Sequence, residues 1–144
     1  MSFREKSTCV TFVLLLVTFG VYFGNAFFVL HGSDNVAAHP TPNLFHLFFQ
    51  LVFWFIVISI VMHIVLAARS PKDANGSMDE REKLIELKSM QPAFYVLLVG
   101  AFLVIGTLHL GTTTYHMAHS VLFVVWIAEL VRYGMRIYYF RRGL

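Results

Sequence analysis

Residues 43–68 read NLFHLFFQLVFWFIVISIVMHIVLAA, and this run decides the fold. It holds 26 residues without Asp, Glu, Lys or Arg, and Arg69 closes it. A bilayer core about 30 Å thick takes about 20 mostly apolar residues as a helix. The apolar residues are continuous rather than alternating, so the run predicts a spanning helix and not a barrel strand.

Working outward, three further stretches have the same character. Residues 9–30 carry no charge, and residues 93–113 and 115–136 follow the polar middle of the chain. The last contains one interior acid, Glu129. The predicted fold is all-α: a four-helix transmembrane bundle forming one integral membrane domain over residues 1–144. The first stretch begins, like a signal peptide, with Arg4 and Lys6. Its apolar run is about twice the 7–15 residues of a signal h-region, so it reads as a membrane anchor. Gly20 and Gly24 form a GxxxG in this helix, which permits close contact within the bundle or between copies.

Composition agrees. The chain is 58% hydrophobic and 13% charged, with a mean hydropathy of +0.69. Soluble domains run about 45–50% apolar and about 25% charged. Disorder and collagen are excluded, and one cysteine, Cys9, cannot make an intrachain disulfide. A net charge of +3 does not call for direct nucleic-acid binding.

The charge is informative through its placement. Of the eleven Lys and Arg, Arg4 and Lys6 precede the first helix. Arg69, Lys72, Arg81, Lys83 and Lys88 lie between the second and third. Arg132, Arg136, Arg141 and Arg142 lie at or after the end of the fourth. The connections at 31–42 and 112–114 have none. By the positive-inside rule both termini and the middle loop are expected in the cytoplasm.

Residues 69–92 form that cytoplasmic loop. Arg69 to Gly76 reads as a turn-rich exit. Ser77-Met78-Asp79-Glu80 spells a capping box, and the early acids and late Lys88 suit a helix dipole. A short amphipathic helix is expected from Met78 to about Met90, with Pro92 marking a kink or the first turn of the third span. Such a helix can lie on the membrane surface. It can also dock a cytoplasmic regulatory protein, through Asp79, Glu80, Arg81, Glu82, Leu84 and Leu87.

The run Asp79-Glu80-Arg81-Glu82-Lys83-Leu84-Ile85-Glu86, followed by a helical pair and ending in Arg141-Arg142-Gly143, resembles a family of small uncharacterised bacterial four-helix inner-membrane proteins. That family is grouped as a domain of unknown function with a DERE-type loop. The similarity covers mainly residues 69–144. It implies a bacterial inner (cytoplasmic) membrane, and neighbours of the helix-turn-helix type that favour a regulatory role. It supplies no catalytic residues.

Seven histidines are many for so apolar a chain. Given the expected topology, His31, His39, His46, His109, His116 and His119 fall towards the outer side, and His63 towards the inner. His46, His109 and His119 lie at similar depth, with Asn25 on the first helix; His116 sits one turn outward of His119 and Gln50 one turn inward of His46. Imidazoles on facing helices can hold a transition metal such as Zn or Cu, or less readily haem. They can also sense pH or simply bond water and headgroups. Asp34 is the only outer acid, and no HExxH or CxxC pattern is present.

At the inner side Glu129 is an intramembrane acid and is expected to be paired, with Arg132 or with His63. Proton transfer through it is the sharper reading. No Ser-His-Asp pattern, phosphate loop or carboxylate pair is visible. The function expected is that of a small polytopic membrane protein, a non-enzymatic regulatory or accessory subunit with an outer histidine cluster. It is set among membrane lipid, as a homo-oligomer or within a larger membrane complex. The alternative is a haem- or metal-binding redox protein or enzyme.

Overall fold

The computed structural model describes residues 3–32, 42–71, 76 and 78–143, with side chains at all of these except 28–32, 42 and 43. Ser77, His39, Asp34 and the side chain of His31 therefore lie outside the described residues. Four long helices make up the fold: α1 (Phe3–Gly32), α2 (Pro42–Arg69), α3 (Glu80–Gly106) and α4 (Thr114–Arg142). A single 3₁₀ turn, Thr107–Leu110, extends α3. Among the described residues there is no strand.

Packing runs α2–α1–α4–α3, with α1 and α4 as the central pair. Three helical stretches are long and apolar enough to cross a membrane: Phe3–Phe27, Leu44–Arg69 and Glu80–Leu110. Helix α4 is the more polar one, carrying His116, His119, Ser120, Glu129, Arg132 and Arg136. It packs against both α1 and α3, so much of its polar surface meets protein.

The surface is inside-out relative to a water-soluble bundle. Phe49, Phe53, Trp54 and Ile64 of α2 are 66%, 60%, 51% and 62% exposed. Without a hydrophobic force between helices in lipid, close backbone approach and interhelical polar bonds gain weight. The close approach occurs at Gly100 of α3. A Cβ there would overlap both γ-methyls of Val124 on α4. The Gly20–Gly24 motif is not used this way: neither glycine has a neighbour within 4 Å of a built Cβ.

The α3–α4 turn follows from its threonines and one glycine. Gly111 takes φ +73°, a left-handed conformation open to glycine and strained for a β-branched residue. The Thr112 hydroxyl donates to Thr107 O at 2.6 Å, satisfying a carbonyl at the helix end. Thr113 then caps α4, its hydroxyl accepting from the His116 N–H. Gly111→Val is expected to lower stability by about 1–2 kcal/mol, read as a lower midpoint of unfolding in mixed micelles.

The segment from Met78 to Met90 differs from its sequence expectation. It is not a separate amphipathic helix between the second and third spans. Helix α3 starts at Glu80, capped by the Asp79 carboxylate at 2.8 Å, and continues through Pro92 to Gly106. A short helix lying apart on the membrane surface is thus replaced by the first turns of a long one. Proline removes one backbone donor, and apolar surroundings tolerate it where other groups re-satisfy the backbone. The Ser89 hydroxyl donates to Glu86 O at 2.7 Å, a bond separate from the Lys88 carbonyl that Pro92 cannot meet.

Candidate functional site

Two polar regions occupy opposite ends of the bundle. Towards the end of the bundle where α3 turns into α4, Tyr22, Ala26 and Leu44 form a buried cluster, with Phe48, Leu51 and Tyr115 packed on it. His119 sits beside this cluster, 4% exposed. Its Nδ1–H donates to Tyr115 O at 2.9 Å, one turn back along α4. Its ring lies 4.4 Å from that of Tyr115, 5.3 Å from Phe45 and 6.1 Å from Tyr22, the last nearly parallel. Among the described residues, neither His119 Nε2 nor the Tyr22 hydroxyl finds a hydrogen-bond partner.

The other histidines expected at this depth do not join it. His46 and His109 are exposed, and His116 is half-buried, its Nδ1 2.7 Å from the Thr113 hydroxyl. Helix rotation explains His46. Leu44, Leu47, Phe48 and Leu51 share the stripe that meets α1, and His46 falls off it. Asn25 donates to Val21 O of its own helix at 2.8 Å. Among the described residues no group of three or more His, Cys, Asp or Glu side chains converges on a point. The ligand set His46, His109, His116 and His119, read as a candidate for Zn or Cu, is therefore not assembled among them. Nor does a second buried histidine among the described residues face His119 across the bundle to complete an axial haem pair.

Towards the end that holds the start of α1 and the end of α4, Glu129 pairs with Arg132 at 3.4 Å. The same guanidinium donates to the Tyr133 hydroxyl at 3.2 Å and lies 4.8 Å over its ring. His63 instead meets α1. Its Nδ1–H donates to Ser59 O at 2.7 Å, which leaves Nε2 to accept from the Ser7 hydroxyl at 2.8 Å. So of the two partners expected for Glu129, Arg132 is taken and His63 is not. Interhelical bonds of this kind average about 0.6 kcal/mol and reach about 1.7. Ser7→Ala is expected to destabilise by about 1 kcal/mol or less, with α1 and α2 still packed in an unfolding titration.

The first turns of α3 carry the densest set of charged contacts. Arg4 of α1 reaches Glu82 at 2.7 Å, with side chains only 23% and 18% exposed. Arg4 also donates to Gly76 O at 3.0 Å. One turn along α3, Glu86 faces Arg136 of α4 at 3.8 Å. Ile85 and Ser89, on the same side, are fully buried. Three helices are thus joined through two acids spaced i, i+4. Of the six residues expected to face a partner, Glu82 is turned inward, Asp79 caps the helix and Glu80 pairs with Lys83 at 3.0 Å. Arg81, Leu84 and Leu87 remain on the exposed side, Leu84 at 44% and Leu87 at 67%.

In the sequence, Arg4 informs orientation alone, and Arg136 reads as a possible neighbour of Glu129; neither carries a sign of these contacts. The i, i+4 spacing of Glu82 and Glu86 is the available signal. Tyr22 and Gly100 carry none. No family model, curated protein or solved structure matches the chain.

Proposed function

We propose that the chain is a four-pass protein of a bacterial inner membrane, both termini cytoplasmic. It works as a non-enzymatic regulatory or accessory subunit that presents the start of α3 to a cytoplasmic regulatory protein. The observation that carries this reading is the Arg4–Glu82 and Glu86–Arg136 clasp. It fixes the inner side of α3 to α1 and α4 and leaves Arg81, Leu84, Leu87 and Lys88 outward. A surface held rigid before binding loses less freedom on binding, which favours recognition. The apolar exterior and the one-sided placement of Lys and Arg support the membrane setting and orientation. The regulatory role also agrees with what the resemblance over residues 69–144 implies.

A photoreactive amino acid at Leu84 or Leu87, compared with one at Phe53, tests the reading in intact cells. The expected outcome is one recurrent protein adduct from positions 84 and 87, reduced severalfold by Arg81→Glu, and only lipid adducts from position 53. Lipid adducts alone at all three positions would contradict it.

A further inference from the structure

As a sequence, residues 79–88 are nearly neutral, with Asp79, Glu80, Glu82 and Glu86 set against Arg81, Lys83 and Lys88. The fold sorts these charges. Glu82 turns in to Arg4 and Glu86 to Arg136, Asp79 caps α3, and Glu80 takes Lys83. Every acid of the run is thereby engaged. Arg81 and Lys88 are left exposed, with no acid paired to either among the described residues. The end of α4 adds two more cations of the same kind, Arg141 and Arg142, both exposed and without an acid among the described residues. The two helix ends meet: Arg81 Nη2 lies 3.9 Å from where a Cβ on Gly143 would stand. A nearly neutral segment therefore contributes to an edge of one sign.

The height of this edge points to what it faces. The fourth span is expected to end at residue 136, and the headgroup layer adds about 5–8 Å beyond the hydrocarbon on each side. At about 1.5 Å per residue, Tyr138 sits about 3 Å past that end and Gly143 about 10 Å. Arg142 does not reach outward from there. Its guanidinium folds back over the Tyr138 ring, 5.1 Å from the centroid, and so returns to headgroup height. Lys88 lies two turns nearer the membrane than Arg81 along α3, at the lower border of the same layer.

We propose that this edge, formed by Arg81, Lys88, Arg141 and Arg142, binds the phosphate of an anionic phospholipid. A guanidinium fork matches phosphate oxygens, and the Lys88 ammonium adds a point charge. A zwitterionic headgroup carries its own cation to the same place and is disfavoured. The site rests on the membrane setting proposed above and not on the cytoplasmic partner.

The test uses the full chain in phosphatidylcholine nanodiscs doped with phosphatidylglycerol that bears a diazirine near the glycerol end of one acyl chain. Incorporation of the chain into the discs checks the membrane setting separately. Adducts mapped by peptide mass spectrometry are expected within residues 84–94 and 132–142, and about tenfold fewer from phosphatidylcholine bearing the same diazirine. Unlabelled phosphatidylglycerol should compete and inorganic phosphate should not, which separates a lipid headgroup from a free anion. Arg141→Gln with Arg142→Gln should cut the phosphatidylglycerol adducts about tenfold or more, at about fivefold per cation. Lys6→Gln with Arg69→Gln removes the same charge from exposed positions on α1 and α2 and should change them little. Equal adducts from the two lipids would overturn the proposal and leave these cations to an acidic segment of a soluble protein. Equal losses from the two double variants, or adducts spread evenly over the ends of α1 and α2, would also overturn it and leave a diffuse attraction. Should the Arg141, Arg142 variant misfold, the two lipids and the adduct positions on the unaltered protein decide the matter alone.

Discussion

Gly100→Leu is expected to separate α3 from α4 and destabilise the fold by at least about 3 kcal/mol, a larger loss than Gly111→Val or Ser7→Ala brings. Even the first added carbon collides. A Cβ on residue 100 would lie 2.9 Å from one γ-methyl of Val124 and overlap the other. Valine in a helix is held to one rotamer, so it cannot swing aside. The helix axes must part, and the contacts along the α3–α4 seam loosen with them. Gly100→Ala isolates the steric part. Helix propensity alone would favour alanine by about 1 kcal/mol, yet the clash is expected to reverse that sign. Removing the obstacle should restore it: Gly100→Ala with Val124→Ala is expected to recover most of the loss. Unfolding titrations in mixed micelles read all three variants. Stability unchanged in Gly100→Leu would show that α3 and α4 do not approach closely at this level.

Arg4→Glu carries the second large effect. The guanidinium is mostly buried, bonds Glu82 at 2.7 Å and satisfies Gly76 O at 3.0 Å. Exposed ion pairs contribute about 0–1 kcal/mol, whereas breaking a buried one costs about 3–5. At about a fifth exposed, this pair lies between, and reversal adds repulsion between two carboxylates. A loss of about 2–3 kcal/mol is expected, with the first turns of α3 freed from α1. The double exchange Arg4→Glu with Glu82→Arg should regain roughly half or more of it, since the pair is rebuilt with opposite polarity. The carbonyl of Gly76 is left without its donor in both variants, so full recovery is not expected. Hydrogen exchange over residues 80–90 measures the release of α3 directly. Unchanged protection in Arg4→Glu would show that the clasp does not hold this segment, and the rigid presentation of Leu84 and Leu87 would lose its basis.

The two seams differ in how they announce themselves in the sequence. The long apolar runs show as helices because hydropathy is a local sum, and it needs no knowledge of neighbours. The α3–α4 turn shows in the sequence as a short charge-free break at 112–114, and the structure supplies its reasons in Gly111, Thr112 and Thr113. Pro92 misleads because its local meaning, a helix boundary, yields to packing on both sides of it: Ile85, Ser89 and Ala93 are buried along one face of α3. Gly100 is silent for the opposite reason. A lone glycine in an apolar run carries no motif, while Gly20 and Gly24 carry one and, among the described residues, an added Cβ at either would meet no other group within 4 Å.

The histidines expected on the outer side show the same divide between depth and rotation. Counting at about 1.5 Å per residue places His46, His109 and His119 at similar heights, with His116 a turn further out. Convergence depends on azimuth, which advances about 100° per residue and is fixed by which stripe meets the neighbour. Leu44, Leu47, Phe48 and Leu51 take the stripe on α2, and His46 is left exposed. The partner of Glu129 is legible as far as α4 itself, because Arg132 lies at i+3. The partner of His63 is not, because Ser7 lies 56 residues away on another helix.

The proposed role of the clasp rests on four crossings with the charged ends on one side. Single cysteines placed at residues 33, 76, 112 and 144 in a Cys9→Ser background, probed with an impermeant maleimide, test this most directly. Labelling from outside is the expected result for Ser33→Cys and Thr112→Cys, and labelling only after permeabilisation for Gly76→Cys and Leu144→Cys. Thr112→Cys protected from outside and labelled only after permeabilisation would contradict it. Helix α3 would then fail to cross, and the proposed role of the clasp would fail with it.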